Sequence, residues 1–141
     1  MSSRAAQLQP AVEQARQRSE DALAQLAAQQ QLLAKAEQQL SELQRYRREY
    51  ATAGAGALTV GSLVNRQNFL DRIDQAIVQQ GVEIARLQRQ YGQAQNRWHQ
   101  AHARESALDN VVDRYHAEAR RAEDRNEQAE SDERTQYRRS R

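Results

Sequence analysis

The sequence predicts an all-α fold: two long helices forming an antiparallel coiled-coil hairpin, the second helix longer than the first. Three observations lead there. Two segments carry sustained seven-residue repeats. A single glycine-bearing stretch separates them, holding three of the five glycines at Gly54, Gly56 and Gly61. The composition suits a seam between helices better than a compact core: 38% hydrophobic residues, 5% aromatic, one proline and a mean hydropathy of -1.05. Ala, Gln, Glu, Arg and Leu dominate, and all are good helix formers.

Helix one is expected over about 6–50, starting near Ala6 or after Pro10, because proline fits the first helical turn, where its missing N–H costs nothing. Its two seam series are Val12, Ser19, Leu26, Leu33, Leu40, Arg47 and Ala15, Ala22, Gln29, Ala36, Leu43, Tyr50. Alternating gaps of three and four place both series on one stripe.

The break is expected over about 51–64, where glycine allows the chain to reverse. Leu58, Val60, Leu63 and Val64 are apolar, so this stretch is expected to fold back on the helices. Ser62 is the candidate N-cap of helix two. That helix is expected over about 65–130, with seam series Leu70, Ile77, Ile84, Tyr91, Trp98, Glu105, Val112 and Ile73, Gln80, Leu87, Ala94, Ala101, Leu108, Tyr115. At 1.5 Å per residue the helices span roughly 60 and 90 Å, so helix two should overshoot its partner. Residues 131–141 are expected to be a disordered tail, and residues 1–141 a single coiled-coil domain.

Formal charge is nearly balanced, with 21 basic and 19 acidic residues. No broad basic field points to nucleic acid. Lys35 is the only lysine, so arginine carries the positive charge. There is no cysteine, hence no disulfide framework or thiolate metal site. No apolar segment follows Met1–Arg4, so no signal peptide is expected, and no stretch approaches the ~20 apolar residues of a membrane span. A cytoplasmic protein is expected.

Catalysis finds no support. Gly54-Ala55-Gly56 has neither the preceding strand nor the following Lys-Ser or Lys-Thr of a phosphate loop. His99 and His102 share a helix face, but no third ligand is well placed. Neither a metal nor another cofactor is expected. Trp98 falls on the seam and is read as packing. Tyr46 and Tyr50, one turn apart among arginines, have the character of a protein-binding hot spot.

Around these tyrosines the sequence resembles the flagellar export protein FliJ family. Gln39, Leu43, Tyr46 and Tyr50 match the family's pattern at the end of helix one. Asn68-Phe69-Leu70, Ile73, Ala76 and Gln80 match a run early in helix two. Ile73 stands for the usual Leu, and Gln80 for a frequent His, which removes a titratable group. Trp98 followed by Leu108 also fits.

The resemblance implies a non-catalytic central stalk of the hexameric export ATPase FliI. Such a stalk promotes assembly of the ring and links it to the cytoplasmic domain of the export gate protein FlhA, with a chaperone-escort role. It implies a peripheral place at the inner-membrane export apparatus and a monomer when free. The matched patch, Gln39, Leu43, Tyr46, Tyr50, Phe69, Ile73, Ala76 and Gln80, would bind the gate. Four of its members, Leu43, Tyr50, Ile73 and Gln80, also fall on seam positions. By the stalk analogy the end carrying both termini enters the ring, with Arg4, Arg16, Arg18, Arg114, Arg120, Arg121 and Arg125 meeting acidic loops. The alternative is a generic dimerising scaffold that pairs through the overhang of helix two.

Overall fold

The computed structural model describes residues 3–52 and 59–140. Among these the chain forms two helices, α1 over Arg4–Thr52 and α2 over Val60–Arg139, arranged as a helical hairpin with α2 the longer. It packs as two units, one of residues 22–98 and one of residues 1–21 with 99–141.

The heptad reading of both helices matches the burial. Every seam residue named above is shielded at least in part, and on α1 the same spacing extends backwards to Ala5 and Leu8. In the 22–98 unit the core is Ala36, Ile84 and Leu87, with Leu33 and Leu40 packed against it. Ile73 and Ala94 are buried too. On α2 the stripe is wider than two series, since Phe69, Ala76, Glu83 and Gln90 are also half-buried. In the other unit the buried residues are Ala5, Val12, Ala15 and Ser19. The Arg4 guanidinium lies 5.8 Å from the centre of the Tyr115 ring. The start of α1 therefore sits beside the middle of α2's terminal stretch, as an antiparallel pair requires. Beyond Ala122 every described residue is exposed.

The helix ends differ from the expected ones. Ser3 caps α1, its Oγ accepting from the Ala6 N–H at 3.1 Å. Pro10 consequently lies in the second turn, where it cannot donate to the Ala6 carbonyl. Thr59, not Ser62, caps α2: its Oγ1 accepts from the Ser62 N–H at 3.2 Å and lies 2.9 Å from the Ser62 hydroxyl. Residues 53–58 of the expected break, Leu58 among them, lie outside the described residues. Val60, Leu63 and Val64 belong to the first turns of α2 and are exposed at 79%, 50% and 53% rather than folded back.

α2 also continues to Arg139, through residues expected to be a disordered tail. Local side-chain bonds support it there. Gln128 donates to Asp132 at 3.1 Å, and the Thr135 hydroxyl donates to the Ser131 carbonyl at 2.9 Å. Arg138 and Arg139 in the last turn favour the negative end of the helix dipole.

A Cβ at Gly81 or Gly92 would meet no atom within 4 Å. Gly81→Ala and Gly92→Ala should therefore each stabilise the protein, by about 0.5–1 kcal/mol in urea melts, through helix propensity alone. Leu87→Ala should lower stability by about 2–3 kcal/mol, because Leu87 is at the centre of the larger unit's core.

Candidate functional site

Where α1 ends and α2 begins, within the 22–98 unit, three aromatic rings converge. Tyr46 and Tyr50 are one turn apart on α1, and Phe69 faces them from α2. The Tyr50 and Phe69 ring centres are 4.5 Å apart, Tyr46 meets Phe69 edge-on at 6.1 Å, and the two tyrosines are 6.4 Å apart. Such pairs contribute about 0.5–1.5 kcal/mol each beyond their buried area. Tyr50 and Phe69 are half-buried, while Tyr46 keeps 49% of its surface in solvent. One residue of the cluster is thus presented to solvent by two that brace it.

Beside Tyr46 lies an open groove of about 490 Å³, lined by Gln39, Glu42, Leu43, Arg45, Tyr46 and Gln80. Its floor is apolar at Leu43 and its rim is amide and charge. Gln80 crosses between the helices, its Nε2 donating to the Ala36 carbonyl at 2.9 Å and to Gln39 Oε1 at 3.2 Å. The donating capacity of Gln80 is committed internally, and this fixes the Gln39 side chain at the groove's edge.

Two arginines tie the helices together nearby. The Arg47 guanidinium grips the Asp74 carboxylate with two N–H donors, Nη2 reaching Oδ2 at 3.2 Å and Nε bonding Oδ1. This hydrogen bonding holds the Asp74 carboxyl below the usual carboxylate range and raises Arg47 further above its own. Arg66 Nη2 donates to the Tyr50 carbonyl at 3.1 Å and to the Ala51 carbonyl.

The eight residues expected at the gate-binding patch all fall in this region, but they do not share one role. Gln39 and Tyr46 are exposed; Leu43, Tyr50, Phe69, Ala76 and Gln80 are half-buried. Ile73 is only 6% exposed and belongs to the core, as its seam position dictates. The arginines expected at the other end, Arg4, Arg16, Arg18, Arg114, Arg120, Arg121 and Arg125, are all exposed and all lie in the second unit. The Arg4 guanidinium lies over the Tyr115 ring and stays exposed. In the same unit His102 Nδ1 lies 3.8 Å from the Glu105 carboxylate.

Sequence reasoning missed Asp74, Arg66, Glu42 and Arg45. A signal for the first two existed. Arg47 occupies a seam position, and Arg66 falls one heptad before Ile73. A guanidinium on a seam needs an acceptor on the opposite helix.

Residues 3–141 match a family model described as "Flagellar FliJ protein". No curated protein matches the chain.

The Arg47–Asp74 pair gives a pH dependence of known sign. A carboxyl whose pKa is lower folded than unfolded stabilises the fold above the ordinary value of about 3.9. That contribution is lost as pH falls through the folded value. Glu83, held down in the same sense by its hydrogen bond to Arg86, adds a contribution within α2. Acid titration should show stability falling below about pH 4, and Asp74→Asn should be less stable than wild type at neutral pH with a flatter acid limb. Parallel acid limbs for the two proteins would show that the pair does not couple to folding.

Proposed function

The chain belongs to the flagellar FliJ protein family, whose members are non-catalytic components of flagellar protein export, and on that premise we propose that it is the central stalk of the export ATPase FliI and links that ring to the export gate. No described helix is long and apolar enough to cross a membrane, which suits a peripheral component of the export apparatus.

The observation that carries the gate assignment is the aromatic cluster. Tyr46 stands half in solvent, braced by Tyr50 and Phe69, at the edge of a groove open enough to admit a partner side chain. Pre-organised aromatic groups of this kind dominate binding energies at protein interfaces. Tyr46, Gln39 and Leu43 form the contact surface for the cytoplasmic domain of FlhA. Phe69, Tyr50, Ala76 and Gln80 support it, and Ile73 acts from the core beneath. The exposed arginines of the other unit, Arg16, Arg18, Arg114, Arg120 and Arg121 with Arg4, meet acidic loops of the FliI ring and promote its assembly. Escort of export chaperones belongs to the same reading.

A second reading has its own support. Beyond Ala122 every described residue of α2 is exposed, which leaves this charge-rich stretch open to contact with another chain. A concentration-dependent dimer in sedimentation velocity, lost on truncation after Ala122, would favour this scaffold role over a monomeric stalk.

Tyr46→Ala with Phe69→Ala should weaken binding to the FlhA cytoplasmic domain by about 2 kcal/mol or more while far-UV helicity stays within the wild-type range. The same variant should still stimulate FliI ATPase activity, whereas reversing Arg16, Arg18, Arg120 and Arg121 to Glu should abolish stimulation. Unchanged gate affinity in the first variant, or full stimulation in the second, would remove the corresponding assignment.

A further inference from the structure

The end of α1 raises a problem that α2 solves. The last four carbonyls of a helix have no donors of their own, and α1 carries no basic residue in its last turn to offset the negative end of its dipole. Among the described residues, side chains supply donors at this end. The Thr52 hydroxyl donates back to the Glu49 carbonyl at 3.1 Å and to the Arg48 carbonyl, one position before the last four, at 3.0 Å. The next two carbonyls, Tyr50 and Ala51, accept from Arg66 Nη2 across the hairpin. The missing cation of α1 is therefore delivered by the opposite helix.

The place of this bond gives it a consequence beyond closing the turn. Tyr50 is gripped twice: its carbonyl by Arg66 and its ring, at 4.5 Å, by Phe69. Arg66 and Phe69 lie three residues apart, so one turn of α2 holds both. One turn earlier on α1, Tyr46 takes its edge-on contact from the same Phe69. If the last turn of α1 frays, Tyr50 leaves Phe69 and Tyr46 loses one of its two braces, keeping only its edge-on contact with Phe69.

We propose that Arg66 is the positioning residue of the aromatic surface. It pins the last turn of α1 through two backbone carbonyls, so that Tyr46, Tyr50 and Phe69 keep one arrangement. A guanidinium suits this task because it is permanently charged and several of its N–H donors lie in one plane. An ammonium keeps the charge without that geometry. The role in partner binding rests on the gate-docking reading above; the ordering role does not.

The test compares Arg66→Ala and Arg66→Lys in the full chain by NMR. In Arg66→Ala the ring-current shifts of Tyr50 and Phe69 should collapse. Amide exchange in the last turn of α1 should accelerate by about tenfold or more, with Ile84 and Leu87 still protected as in wild type. Arg66→Lys should recover part of the exchange protection through charge alone and leave the ring shifts collapsed. Retention of the wild-type ring shifts and protection in Arg66→Ala would overturn the proposal, as would loss of protection at Ile84 and Leu87, which marks a global rather than a local role. Titration of FlhA cytoplasmic domain into both variants separates the two readings. Affinity that falls about tenfold with the ring shifts supports both. Collapsed ring shifts with undiminished affinity keep Arg66 as the positioning residue and refute docking at this surface.

Discussion

Two helices can hide only one stripe from water, and here much of that stripe is alanine. Among the described residues, four of the eight buried apolar ones are Ala5, Ala15, Ala36 and Ala94. A buried alanine permits close approach of the helices but removes little area from water, and hydrophobic stabilisation scales with that area. The larger side chains in the seam, Ile73, Ile84 and Leu87 with Leu33 and Leu40, are concentrated in the 22–98 unit. The rest of the stripe is interrupted by polar residues. Ser19 is buried, and the Gln29 side-chain oxygen is shielded without a hydrogen-bond partner among the described residues. Among the described residues such a core is a seam rather than a chamber, and the groove beside Tyr46 lies open at the surface.

A seam of this kind was readable from sequence because burial on a two-helix pair depends almost wholly on phase. Each seam residue from Val12 to Tyr50 and from Leu70 to Tyr115 is where seven-residue spacing puts it. Helix ends obey a different logic. They depend on which side-chain oxygen captures the first free N–H groups, and this sequence offers competing candidates within a few residues. Pro10 suggested a first turn that Ser3 had already supplied two turns earlier. Ser62 is as good a cap by type as Thr59, and the structure uses Thr59 as acceptor. At the other end, residues 131–139 lack a seam partner, so periodicity has nothing to report there. Their helix is supported by contacts three and four residues apart, a weaker and less patterned signal.

The candidate site was legible in part for the same reason. Tyr46 and Phe69 stood out as aromatics just off the repeat, and they do meet. The repeat also warned that Ile73 would be core. What phase could not supply was the pairing of polar groups across the helices. That Arg47 would find Asp74, and Arg66 the Tyr50 and Ala51 carbonyls, depends on register to within one residue and on side-chain reach. Neither follows from hydropathy.

Those polar bonds bear on a weakness of the alanine seam. Sliding one helix past the other by a heptad exchanges apolar seam residues for others of the same kind, so hydrophobic burial alone discriminates weakly between registers. Directional bonds discriminate strongly. A slipped register would part Gln80 from the Ala36 carbonyl, Arg47 from Asp74, Arg66 from the end of α1, and Phe69 from both tyrosines. Each separation would break a directional hydrogen bond or a ring contact that only the correct register makes. These register-setting bonds all lie between Ala36 and Gln80, the same part of the chain that presents Tyr46. A surface assembled from two helices exists only in the correct register, so the residues that fix the register and those that form the surface must lie close together.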